Sequence, residues 1–291
     1  MHQAVLTRRP ADTSLRRLFA RPQTLLLLAL AVLVVAAWMA LGLIVGRMAE
    51  SHAAFVDAGR AAFGDGTIQQ AIWRVAEIIC GPARDSASGG IADFALVLAM
   101  WCAMTLAMMV PTAGGMIFTY AEIADTAAVK GERIVSPLVL TAGYVVVWLG
   151  FALAASMLQY ALNWAPLSRP TSMILSAALF FGAGAFQFSA LKHACLRRCQ
   201  RPFPFFFANW TTRPRGVFRL GLRQGMTCLG CCWATMLLML AVGSMNVIWM
   251  AALGIIMSIE KLGTGSRFSK TVGLAFIAIG LGLAGYSVVT Q

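Results

Sequence analysis

The chain carries apolar runs that are too long for the interior of a soluble domain. One covers residues 22–45, another 91–118, and a third stays apolar from 222 to 259. Crossing about 30 Å of hydrocarbon takes roughly 20 helical residues. Lipid offers no hydrogen bonds, so a spanning segment must pair its backbone as a helix or within a closed barrel. These runs are continuous and do not alternate in polarity, which selects helices over barrel strands. Only 12% of the 291 residues are charged. The mean hydropathy of +0.77 also fits a chain that lives in a bilayer.

The expected fold is all-α: a polytopic transmembrane bundle forming a single membrane domain over residues 1–291. Seven spans are predicted, at 22–45, 91–118, 137–158, 171–191, 222–242, 245–259 and 271–288. Residues 46–90 are expected outside the cytoplasm, where Ile68, Ile72, Val75 and Ile79 mark a short amphipathic helix. Residues 121–136 read as a polar turn, and Pro202 and Pro204 as a barrier to regular helix. The run from 222 to 259 is too long for one ordinary span. Gly243-Ser244-Met245-Asn246 is its expected hairpin turn; one tilted element is the alternative, and would reverse the last helix.

Charge sets the orientation. The loop between 192 and 219 holds Lys192, Arg197, Arg198, Arg201, Arg213, Arg215 and Arg219, with no acid. Positive-inside bias assigns it to the cytoplasm, and with seven spans the N-terminus lies there too. The formal charge of +12 is spread over loops rather than gathered in a folded basic domain. It points to topology and anionic lipid headgroups, not nucleic acid. The expected location is an inner (cytoplasmic) membrane, with the bilayer as the first partner.

Sulfur is concentrated where two spans adjoin that loop. Cys195 and Cys199 close one apolar span, while Cys228, Cys231 and Cys232 open the next. Cytoplasmic thiols stay reduced and available. Thiolates are ligands for soft ions, Cu(I) ahead of Zn(II) here. Lys192, Cys195 and Cys199 share a helix face by spacing, with His193 one step around. The alternative for the five cysteines is ordinary packing of a small hydrophobe.

Met100, Met104 and Met108 repeat at i, i+4 and i+8, with Met109 beside them. Thioethers are weak soft ligands, so the stripe is a candidate metal path; filling of packing gaps is the competing account. Glu260 and Lys261 read either as an internal ion pair beside the cysteines or as solvated charges at a helix end. No Walker loop, dinucleotide fingerprint or zinc-protease helix occurs. The three histidines, His2, His52 and His193, are placed too far apart for a bis-histidine haem site.

With these residues assembled, the chain resembles a bacterial family of predicted metal-binding integral membrane proteins. The resemblance is carried by residues 104–111, by 187–192 with Cys195 and Cys199, and by 225–233, 243–250 and Glu260-Lys261. Its most specific element is Cys228-Leu229-Gly230-Cys231-Cys232-Trp233. It implies a polytopic membrane fold with a metal site at Cys195, Cys199, Cys228, Cys231 and Cys232, and implies no reaction. A common form of the family has Cys-Arg where this chain has Cys199-Gln200, with Arg201 next.

The functional expectation is therefore a membrane protein that binds, and transports or delivers, a soft metal such as copper. One alternative is a structural or assembly subunit of a larger membrane complex, with a membrane protein or a second copy as partner. Another is a membrane thiol oxidoreductase.

Overall fold

The computed structural model describes residues 28, 30–41, 91–164, 169–242, 247–263 and 265–289. The expected segment at 46–90, the turn at 243–246 and the ends of the first expected span lie outside them. Among the described residues the fold is helical throughout. The helices are α1 (Leu30–Leu41), α2 (Ile91–Thr112), α3 (Gly114–Val129), α4 (Pro137–Trp164), α5 (Arg169–Phe186), α6 (Ala190–Gln200), α7 (Pro202–Ala208), α8 (Pro214–Val242), α9 (Val247–Lys261) and α10 (Gly265–Val289).

Four of these are long and apolar enough to cross a membrane: the helices containing 93–112, 137–164, 214–242 and 266–287. The pair α5–α6 adds a fifth if it counts as one span, bent by 64°. At 15 residues α9 is shorter than a full crossing requires.

Local chemistry explains where the helices stop. The expected span 91–118 is broken: Pro111 cannot donate to the preceding turn, and α2 gives way to α3 at Ala113. The Ala113 N–H is shared between the carbonyls of Met109 and Val110, both at 3.1 Å. The expected polar turn at 121–136 begins too early, because α3 continues to Val129 and ends at Gly131, whose φ of 79° suits glycine. Burial pushes the Tyr120 phenol of α3 up to about 12. It remains an O–H donor, reaching the Val135 carbonyl at 3.1 Å.

The expected fourth span, 171–191, ends early as well. After Phe186 the chain turns, and Ser189 caps a new helix by accepting the Lys192 N–H at 3.1 Å. Pro202 and Pro204 do not prevent helix. Both fall in the first turn of α7, where no intrahelical N–H bond is lost.

Glycines set the tightest crossings. A Cβ at Gly221 of α8 would lie 2.1 Å from the Leu140 carbonyl oxygen of α4, and one at Gly143 of α4 would lie 2.3 Å from the Phe218 carbonyl oxygen of α8. Backbones approach this closely only where side chains are missing. Gly184 plays the same part between α5 and α10, where a Cβ would meet the Gly273 carbonyl oxygen at 2.8 Å. These contacts hold α8 in the middle of the bundle, against α4, α5 and α6.

Candidate metal centre

Three sulfurs meet inside the bundle. Cys199 comes from α6, and Cys228 and Cys231 from α8; their sulfurs all lie within 4.8 Å of one another. Cys199 and Cys231 are 4.0 Å apart. Metal–thiolate bonds of about 2.3 Å place sulfurs around one ion roughly 4 Å apart, so the trio has the separation such an ion needs. Cys232 adjoins it, with its sulfur 3.3 Å from that of Cys231. Cys228, Cys231 and Cys232 are buried and Cys199 is half-buried.

The cysteines are not at the start of their helix, as the expected span 222–242 implied. α8 begins at Pro214, so Cys228 lies about 21 Å along it. The first part of α8 carries Arg215, Arg219 and Arg223 on one exposed face. Charge thus stops one turn before the cysteines, and apolar sequence continues beyond them.

Other helices complete the surroundings. The Tyr144 hydroxyl of α4 lies 3.0 Å from Cys228 Sγ and 3.2 Å from the Met109 carbonyl oxygen of α2. Lys261 ends α9 and donates from Nζ to Cys228 Sγ at 3.0 Å, and also to Thr112 Oγ1. This ammonium offsets part of the negative charge that thiolates bring together, which an apolar interior would otherwise penalise. A cavity of about 510 Å³ reaches Cys199 and Cys228, lined also by Thr112, Tyr144, Gln224 and Lys261.

The remaining expected site residues sit elsewhere. Cys195 stays outside the trio and packs into the notch left by Gly230, where a Cβ would come 2.7 Å from its sulfur. Glu260 and Lys261 do not pair with each other. Glu260 accepts from Lys192 Nζ at 2.7 Å in a buried ion pair, while Lys261 turns to the thiol. Neither is a solvated helix-end charge. Lys192 therefore braces α6 against α9 instead of facing the cysteines. Gln200 adds a bond from Nε2 to the Glu260 carbonyl oxygen at 2.8 Å. His193 lines a different cavity with Phe188, Arg197 and Lys270. Met100, Met104, Met108 and Met109 are all buried in the core.

Tyr144, Thr112 and Gln224 were not singled out in the sequence. The available signal was a hydroxyl or amide within an otherwise apolar stretch, since a polar group in lipid needs a protein partner.

A family of copper chaperones, described as PpoB2, matches residues 98–283. The chain belongs to this family. The match takes in the trio and the residues around it, from Met109 to Lys261. No curated protein and no solved structure matches the chain. Membership and the three-sulfur group fit copper binding, and the four long apolar helices fit a membrane protein.

Proposed function

We propose that this protein takes up or releases Cu(I) at Cys199, Cys228 and Cys231 and delivers it through, or at, a bacterial inner membrane. The observation that carries this reading is the three-sulfur group, with Cys228 and Cys231 buried and Cys199 half-buried, and an ammonium against it. Three soft donors suit Cu(I); structural zinc sites close with four ligands. Cys195 and Cys232 then support the site from beside it, and the methionines of α2 supply weaker ligands deeper in the bundle.

In this reading the N-terminus and the arginine-rich loop are cytoplasmic. The chain crosses seven times, with α9 as a short crossing returning beside α8. An acceptor is needed for delivery, either another membrane protein or a second copy of this chain.

The test is protein reconstituted in vesicles and loaded with Cu(I) on one side. Time-dependent movement to an acceptor, lost in Cys228→Ser, is the expected result. Retention of bound copper with no movement and no transfer rejects delivery. The 3.3 Å approach of Cys231 and Cys232 also supports a second reading, thiol exchange. Trapping a mixed disulfide at either residue under metal-free conditions would favour it.

A further inference from the structure

Sulfur does not stop at the cysteines. On α8, Cys228, Cys232, Met236 and Met239 follow one another at i, i+4, i+8 and i+11, each no more than 3% exposed. On α9, Lys261, Met257, Gly254 and Met250 form one stripe at steps of four, three and four. Met250 and Met257 are both 0% exposed. On α2, Met108, Met104 and Met100 recede from Thr112 in steps of four.

The three helices share a register. Lys261 Nζ contacts Cys228 of α8 and Thr112 of α2, which sets one common level. A second contact ties α9 to α2: the Cβ position of Gly254 lies 3.6 Å from Met108 Cε. From 108 to 112 and from 254 to 261 the two chains advance together, so α2 and α9 run parallel. The connection from α8 to α9 spans only 243–246, which makes that pair antiparallel.

A rise of 1.5 Å per residue then gives the depths. Cys232, Met257 and Met108 lie about 6 Å from the shared level. Met236 and Met104 lie about 12 Å from it. Met239, Met250 and Met100 lie roughly 16–18 Å from it. The sulfurs thus fall at three successive levels, with Gly254 leaving room for Met108 on the α9 side.

Apolar sorting alone does not dictate methionine at these positions; Leu238 of α8 and Leu253 of α9 are buried beside them. In lipid the outside of a helix is as apolar as the inside, so burial has no cause to prefer methionine over leucine. Yet Leu96 of α2 is 51% exposed, while the four methionines of that helix face inward. On α8, Met226 lies off the stripe and is 59% exposed.

We infer that the methionines of α2, α8 and α9 form a three-level thioether ladder that accepts Cu(I) from the cysteine group and carries it toward the opposite end of the bundle. The ladder rests on the copper reading above and extends it to a second class of site. Each step is ligand exchange: one neutral thioether binds the ion as another leaves. The copper stays Cu(I), and no proton or electron moves. Weak ligands at repeated levels hold an ion without trapping it, whereas the thiolates hold it firmly.

The test is X-ray absorption on the full chain bearing selenomethionine, loaded with Cu(I) at one equivalent and then in excess. Selenium should show no copper neighbour at one equivalent and a copper shell in excess. A Met104→Leu, Met236→Leu, Met239→Leu and Met250→Leu variant should lose most of that shell and keep the first equivalent on sulfur. These exchanges preserve volume and cost little in packing. Absence of copper from selenium at every loading overturns the ladder, as does an undiminished shell in the variant. Should the variant not fold, the selenium edge of the parent decides alone. A copper–thiolate signal at the copper edge is read separately, so the cysteine site can stand when the ladder falls.

Discussion

Lys261 sits where a positive charge does most for a group of thiolates, with Nζ 3.0 Å from Cys228 Sγ. Removing that charge while keeping the bulk, in Lys261→Met, should weaken Cu(I) affinity by about 10–100-fold, the usual scale for partners of metal ligands. Competition with a chromophoric Cu(I) chelator measures it, and Lys261→Arg should recover part of the loss. Unchanged affinity would remove Lys261 from the site. Gly230 gives a prediction of a different kind. Alanine there would press on the Cys195 sulfur, 2.7 Å from the new carbon. The cost should be about 1–3 kcal/mol, as for other overpacked interiors. Adding Cys195→Ala should restore most of it, and thermal unfolding in detergent would show the coupling. The same contact explains what sequence reasoning could not see. Spacing treats Cys195 and Cys199 alike, four residues apart on one face. Only the notch opposite, at Gly230, separates the packed thiol from the one that joins the trio. Equally, adjacency suggested that Glu260 and Lys261 belong together, whereas neighbours in a helix point about 100° apart and find different partners.

At the level of elements, α6 is the piece whose placement matters most. It brings Cys199 to α8 only because the chain bends after Phe186 and restarts at the Ser189 cap. Apolar residues flank that bend on both sides with only Gln187 and Ser189 between them, so hydropathy reads one span over 171–191. The serine is the local signal of a new helix start. The bent helix is braced by the Lys192–Glu260 ion pair, whose side chains are 0% and 2% exposed. Losing one member leaves a buried charge without its partner. Lys192→Met should therefore destabilise the protein by about 3–5 kcal/mol, and adding Glu260→Met should recover most of the loss. Chemical denaturation in detergent distinguishes this from a surface pair, for which both changes would be nearly silent. If Cys199 depends on this brace, the single variant should also bind copper more weakly than the double.

Over the described residues the molecule is a helical bundle. Its all-α class was legible from the long apolar runs. The helix boundaries were less so, because hydropathy does not show where an apolar run breaks into shorter helices such as α3 or α9. Depth is where the helices agree. From Cys228 to Val242, α8 covers about 21 Å, and α9 covers about the same distance from Val247 to Lys261. The return brings Lys261 back to Cys228, so a 15-residue helix is long enough to close the site. The cysteine layer therefore belongs to the architecture of the bundle, with five helices contributing to it: α2, α4, α6, α8 and α9. That layer is the claim on which the copper reading depends, and copper content with copper-edge X-ray absorption tests it directly. The protein purified under reducing conditions and loaded with Cu(I) should hold one tightly bound ion in an all-sulfur shell. Cys195→Ser should keep that ion, and Cys199→Ser, Cys228→Ser and Cys231→Ser should each lose it while remaining folded. An ion bound through nitrogen or oxygen, or one retained when Cys228 is replaced, would contradict the account.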